Sequence, residues 1–115
     1  MNAAQSDLQQ LRIKLILFKS KVRSAVYGGT PDQEFFSSSG PLGQWFRTIG
    51  AVRYSNLPEF STMSRLYKEL LTTAMHLISQ YRSGKIEEAH EGLQDIDKLS
   101  EQLTSLISAL ETRLA

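Results

Sequence analysis

Cysteine is absent from these 115 residues, which removes disulfides, thiolate metal sites and thiol redox chemistry. Histidine is almost as scarce. His76 and His90 are too few for a histidine-rich metal cage within one chain. Long apolar runs are also missing. The longest helix-like cluster, Leu15-Ile16-Leu17-Phe18, falls far short of the roughly 20 apolar residues that a bilayer crossing needs. No charge of one sign dominates either: 13 Lys and Arg face 12 Asp and Glu, for a net charge of +1. That balance weighs against nucleic acid as the main partner, because phosphate-binding domains usually carry a basic surplus. Met1 to Gln10 lack the basic start and apolar block of a secretory signal, so a cytoplasmic location without membrane insertion is expected.

What is present is helical periodicity. A hydrophobic content of 41% over this length suits one domain spanning residues 1–115. Leu8, Leu11, Leu15, Phe18, Val22 and Ala25 recur at spacings of three and four, which places them on one stripe of a first helix. Ser6, with Gln9 three residues on, reads as its capping box, and Gly28-Gly29 as its C-terminal stop. A loop over 30–40 follows, and Pro41 suits the first turn of a short second helix, about Leu42 to Thr48, closed by Gly50. A third helix begins near Pro58, carries Met63, Tyr67, Leu70, Ala74 and Leu77 on one stripe, and breaks at Gly84. A fourth runs from about Ile86 to the C-terminus, and Ser100 is the one polar residue in its apolar seam. No β pattern or internal repeat competes. The expected fold is all-α, an antiparallel four-helix bundle of three long helices and one short one.

The first helix is apolar on more than one side. Ile13, Ile16 and Leu17 point away from the Leu11–Leu15–Phe18 stripe, and a helix apolar all round is normally buried all round. These three residues are therefore the expected interface of a homodimer. The competing arrangement has the 30–40 loop, through Phe35 and Phe36, covering the second face within one chain. Charge is divided as well. Residues 1–58 hold seven basic and three acidic side chains, and residues 59–115 hold six and nine. Such a split predicts charge pairing between packed helices more readily than a basic patch for a membrane surface.

Catalytic equipment is not visible. The serine-rich stretches contain no G-x-S-x-G elbow, and neither histidine sits in a catalytic motif. Gly40-Pro41-Leu42-Gly43 lacks the spacing and the lysine of a phosphate-binding loop. His76 is expected in solvent and His90 beside the last seam, while Glu87 and Glu88 belong to a polar helix face. The chain reads as a non-enzyme without a cofactor.

The middle of the chain carries a pattern of a different kind. Gly40-Pro41-Leu42-Gly43-Gln44-Trp45 resembles the C-x-L-G-x-W signature of the chemoreceptor zinc-binding (CZB) domain, with glycine at the cysteine position. Leu15-Ile16-Leu17-Phe18-Lys19 is similar to that family's H-x-x-[WF]-K, with leucine at the histidine position. Leu57-Pro58-Glu59-Phe60 matches its L-P-x-F entry into the next helix, and Tyr67 to Leu71 occupies its H-x-x-x-H. Tyr81-Arg82-Ser83-Gly84, with Glu87-Glu88-Ala89 after it, matches the family's turn, and Lys98-Leu99-Ser100 its last helix. The likeness covers nearly the whole chain from Ile13 onward.

That resemblance implies a dimeric helical bundle of the kind found on bacterial chemoreceptors and diguanylate cyclases, where three histidines and one cysteine hold zinc. All four ligand positions differ here, being Leu15, Gly40, Tyr67 and Leu71, and none offers the imidazole or thiolate that zinc prefers. The framework residues Phe18, Leu42, Gly43 and Trp45 remain. The expected function is thus a non-catalytic signalling domain, a zinc-less relative acting through dimerisation and protein contacts. Phe35, Phe36, Phe46 and Tyr54, in or near irregular segments, are the exposed candidates for partner contact. The alternative is a sensor that binds a small apolar molecule in a cavity lined by Leu15, Tyr67 and Leu71.

Overall fold

The computed structural model describes residues 2–115, so Met1 lies outside the described residues. Every regular element among the described residues is helical. They are α1 (Ala3–Val26), α2 (Pro41–Gln44), a π-helical turn (Trp45–Gly50), α3 (Ala51–Arg53), α4 (Pro58–Arg82), α5 (Ile86–Glu91) and α6 (Leu93–Arg113).

α1 starts earlier than Ser6. Asn2 is the N-cap, its side chain accepting from the Gln5 backbone N–H at 2.8 Å while the Gln5 side chain accepts from the Asn2 N–H at 3.2 Å. Both Asn2/Gln5 and Ser6/Gln9 fit the capping-box pattern, and the upstream pair adds a turn of helix. The Asn2 side-chain amide also donates to the Leu114 carbonyl at 2.9 Å, so the start of α1 lies beside the end of α6. The other end is as the sequence predicts. Gly28 takes φ +104°, and Gly29 N–H closes back on the Ser24 carbonyl at 2.8 Å. α4 stops in the same way, with Gly84 at φ +85° and Lys85 N–H on the Gln80 carbonyl at 2.9 Å. Both are left-handed C-caps, a conformation that costs glycine little.

The expected short helix and the expected last helix are both modified. The segment begun by Pro41 does not close at Gly50 but continues through a π turn, with Ala51 N–H bonded to the Phe46 carbonyl, into α3. The last helix is divided at Gly92, where a side chain would collide with Leu77 on α4. Glycine permits that close approach, and the interruption marks it.

The three long helices bury their predicted stripes in one core that includes Leu11, Phe18, Leu70, Leu77, Leu103 and Ile107. α4 packs on α6, α1 packs on both, and α2 rests on α1. Two ion pairs follow the predicted charge division, Arg12 meeting Glu111 and Lys19 reaching Asp97 at 3.3 Å, while a third, Arg113 with Glu59, joins α6 to the start of α4 within the second half. These contacts align the ends of the long helices, although exposed pairs contribute at most about 1 kcal/mol each.

Candidate functional site

The four positions matching zinc ligands have different environments. Leu15 is buried in the core, Tyr67 is 7% exposed, and Leu71 is half-buried against the same core. Gly40, the N-cap of α2, is enclosed by backbone. A Cβ there would run into the Phe35 carbonyl, so this backbone has no room for a cysteine side chain. Leucine offers no donor atom, glycine has no side chain, and one neutral phenol is a poor zinc ligand. The residues present therefore do not fit a zinc ion.

Tyr67 stacks on Phe46, with ring centroids 4.7 Å apart, and its hydroxyl points at Gly43. A Cβ on Gly43 would lie 2.6 Å from that oxygen and 2.5 Å from the Ser38 carbonyl, which explains why glycine occupies the position. The Tyr67 hydroxyl is buried without a hydrogen-bond partner among the described residues, and burial pushes its pKa above the usual phenol value. Of the three residues expected to line an apolar cavity, Leu15 lines a solvent-open groove between α1 and α6, and Tyr67 and Leu71 do not line that groove.

The aromatic candidates for partner contact are not free surface. Phe36, Phe46 and Tyr54 are buried and Phe35 is half-buried, which corrects the expectation that they are exposed. Phe35 and Phe36 lie against Phe18 at centroid separations of 6.5 and 5.5 Å. Phe46 contacts Trp45 at 5.2 Å, and Trp45 stacks flat on Tyr54 at 6.1 Å. Large rings on a connecting segment found more area to bury inside the chain than outside it.

Asp7 organises one end of this aromatic group. Its carboxylate is buried, accepting from Arg53 Nη1 at 2.8 Å and from the Tyr54 hydroxyl at 2.6 Å. Its backbone carbonyl accepts the Trp45 indole N–H at 2.9 Å. Three side chains of the connector thus converge on one residue in the second turn of α1. The Tyr54 hydroxyl is pushed up to about 12, first by burial and then by its hydrogen bond to Asp7. Asp7 was invisible to periodicity, but it is the only acid in α1 and directly precedes the buried Leu8. A single indole, which needs an acceptor when buried, was the other available signal.

The two histidines have different surroundings. His76 is exposed on α4. His90 on α5 stacks on Tyr27 at 3.9 Å, and its Nε2 lies 2.5 Å from the Val26 carbonyl, where the last turn of α1 needs a donor. Among the described residues no three histidine or acidic side chains are grouped so as to hold a metal ion, and no helix is long and apolar enough to cross a membrane.

The expected interface residues are in the open. Ile13 is 59% exposed, Ile16 62% and Leu17 42%, and the 30–40 loop packs on the Phe18 side instead of covering them. Beside this ridge runs a groove of about 390 Å³ between α1 and α6, whose walls include Leu15, Ile16, Lys19, Ser100, Glu101 and Thr104. Ser100 is 2% exposed, and its hydroxyl has no hydrogen-bond partner among the described residues. Comparison with protein-family models, curated proteins and solved structures finds no match for this chain.

Proposed function

We propose that this chain is a non-catalytic signalling domain, a zinc-less relative of the CZB domain built as an antiparallel four-helix bundle, which works as a cytoplasmic dimer. The observation that carries this reading is the uncovered apolar ridge of Ile13, Ile16 and Leu17 on a helix whose opposite stripe is fully used. Contiguous exposed apolar surface on a small domain marks a contact site more often than idle surface. The contacts of Asn2 with Leu114, Arg12 with Glu111 and Lys19 with Asp97 support the antiparallel course of the first and last long helices. Trp45, Gly43 and Leu42, all buried within the segment joining α1 to α4, support the framework half of the resemblance.

The chemistry of the former ligand positions sets what such a domain does. Apolar side chains hold helices together by burial, each fully buried leucine contributing roughly 1.5–3 kcal/mol. Leucine does not dissociate, ionise or oxidise, so the packing has no metal-dependent alternative. The domain supplies a constant association surface to a protein partner in a bacterial signalling pathway of the chemoreceptor or diguanylate cyclase kind. The test combines metal analysis with mass in solution. The expected result is a dimer free of stoichiometric zinc, with an unfolding midpoint that a chelator leaves unchanged. A protein that purifies with one tightly held zinc per chain overturns the reading.

A further inference from the structure

We propose that the groove between α1 and α6 binds an aliphatic primary amine. Its ammonium sits on the Glu101 and Ser100 side chains, and its hydrocarbon chain lies along Leu15 and Ile16. This goes beyond the association proposed above and needs only one chain, the groove sharing only Ile16 with the exposed ridge. The groove follows from small side chains on α6. Leu93, Ile96, Leu103, Ile107 and Leu110 fill the buried seam of that helix, and Ser100 takes one position among them. Thr104 and Ser105, one turn on, share its face and are also small. About 390 Å³ is left open opposite Leu15, Ile16 and Lys19.

The lining selects the chemistry of the occupant. Ser100 is 2% exposed, and its hydroxyl has no hydrogen-bond partner among the described residues. A hydroxyl so placed carries a desolvation cost that a ligand can offset. In the proposed complex it turns about χ1 into the groove and accepts an ammonium N–H. Charge fixes the sign. Of the two charged side chains in the wall, Lys19 is already matched by Asp97 at 3.3 Å. Glu101 makes no ion pair among the described residues. The uncompensated charge is therefore one carboxylate, too few donors for a metal ion and one too few for a diamine. A carboxylate ligand meets it as a like charge, and an alcohol leaves it unmatched. A primary ammonium brings three N–H donors, for Glu101, Ser100 and Thr104, while Leu15 and Ile16 cover the chain behind it.

The experiment titrates the full chain at neutral pH with n-hexylamine, n-hexanol and hexanoate, following backbone amide chemical shifts. The amine is expected to give saturable shifts centred on residues 15–19 and 100–105, the alcohol weaker ones and the carboxylate none. Shortening the amine to n-butylamine weakens binding by up to about fourfold for each methylene removed. Glu101→Gln weakens the amine by about tenfold without affecting the fold, since that side chain is exposed. Ser100→Ala also weakens it, and the unfolding midpoint of that variant is unchanged or raised, because the lost hydroxyl had no bond. Lost binding in a variant that stable cannot come from lost structure. Shifts that never saturate, or that scatter over the surface, overturn the site. Hexanol or hexanoate binding as tightly as the amine, or Glu101→Gln binding it like wild type, overturns the assignment of its ligand. Neither result bears on the mass in solution or the zinc content, so the reading proposed above stands or falls separately.

Discussion

The chain turns between long helices twice, and the two turns are built on opposite principles. Between α4 and α5 it needs only residues 83–85, closed by backbone hydrogen bonds around Gly84. Between α1 and α4 it uses residues 27–57, which hold Tyr27, Phe35, Phe36, Trp45, Phe46 and Tyr54. The short turn stores its information locally. The long connector stores it in contacts with distant residues, above all Asp7, Phe18 and Tyr67. The teaching is that a segment irregular in sequence can be as thoroughly packed as the helical seams, provided its rings have partners. Its dependence on single residues is the difference. The α4–α6 seam repeats one kind of contact along many leucines, whereas the connector is tied down at a few points.

Trp45→Ala tests that difference most severely. Removing a buried indole costs about 3–5 kcal/mol, and amide exchange should rise first in residues 41–57. Leu103→Ala, in the seam, costs about 2–5 kcal/mol and should raise exchange across all three long helices together. If both variants open the same amides, connector and seam are one cooperative unit and the contrast dissolves. Asp7→Asn should follow at about 1–3 kcal/mol, since it weakens charge-assisted bonds to Arg53 and Tyr54 while keeping the side-chain shape, as read by chemical denaturation.

The two buried tyrosines sharpen the comparison further. The Tyr54 hydroxyl has a hydrogen-bond partner, and the Tyr67 hydroxyl has none among the described residues. The folded state favours the protonated Tyr54 phenol, so its contribution is complete below pH 10 and is lost as pH climbs through about 12. Tyr54→Phe should therefore be less stable than wild type at pH 9, with the gap closing by pH 12 in urea titrations. Tyr67→Phe is expected to give the smallest change and the opposite sign. It removes a desolvated hydroxyl without a bond to lose, raising stability by up to about 1 kcal/mol.

Much of this contrast tracks what sequence reading could reach. The stripes of α1, α4 and α6, the stops at Gly28 and Gly84, and the starts at Pro41 and Pro58 are all local patterns, and the structure agrees with them. The start of α1 was misplaced at Ser6 because two capping boxes fit within one turn of each other. The division at Gly92 is not legible locally, because the Leu77 side chain that leaves no room for a Cβ there lies on another helix. At the candidate site, Leu15 and Tyr67 were legible as seam positions. The backbone crowding at Gly40 was not, since Phe35 closes on it only after the connector folds back. The burial of Phe36, Phe46 and Tyr54 likewise depends on contacts with distant residues.

The sequence by itself therefore determined that the chain is helical, where its long helices lie and which stripe each one buries. Those outcomes depend on backbone propensity and on the 3.6-residue period, both properties of neighbouring residues. Only the tertiary structure decided that the connector's rings turn inward, that Asp7 gathers Trp45, Arg53 and Tyr54, and that Ile13, Ile16 and Leu17 stay uncovered. Each of these depends on which distant surfaces fit together in three dimensions, and no local period encodes that.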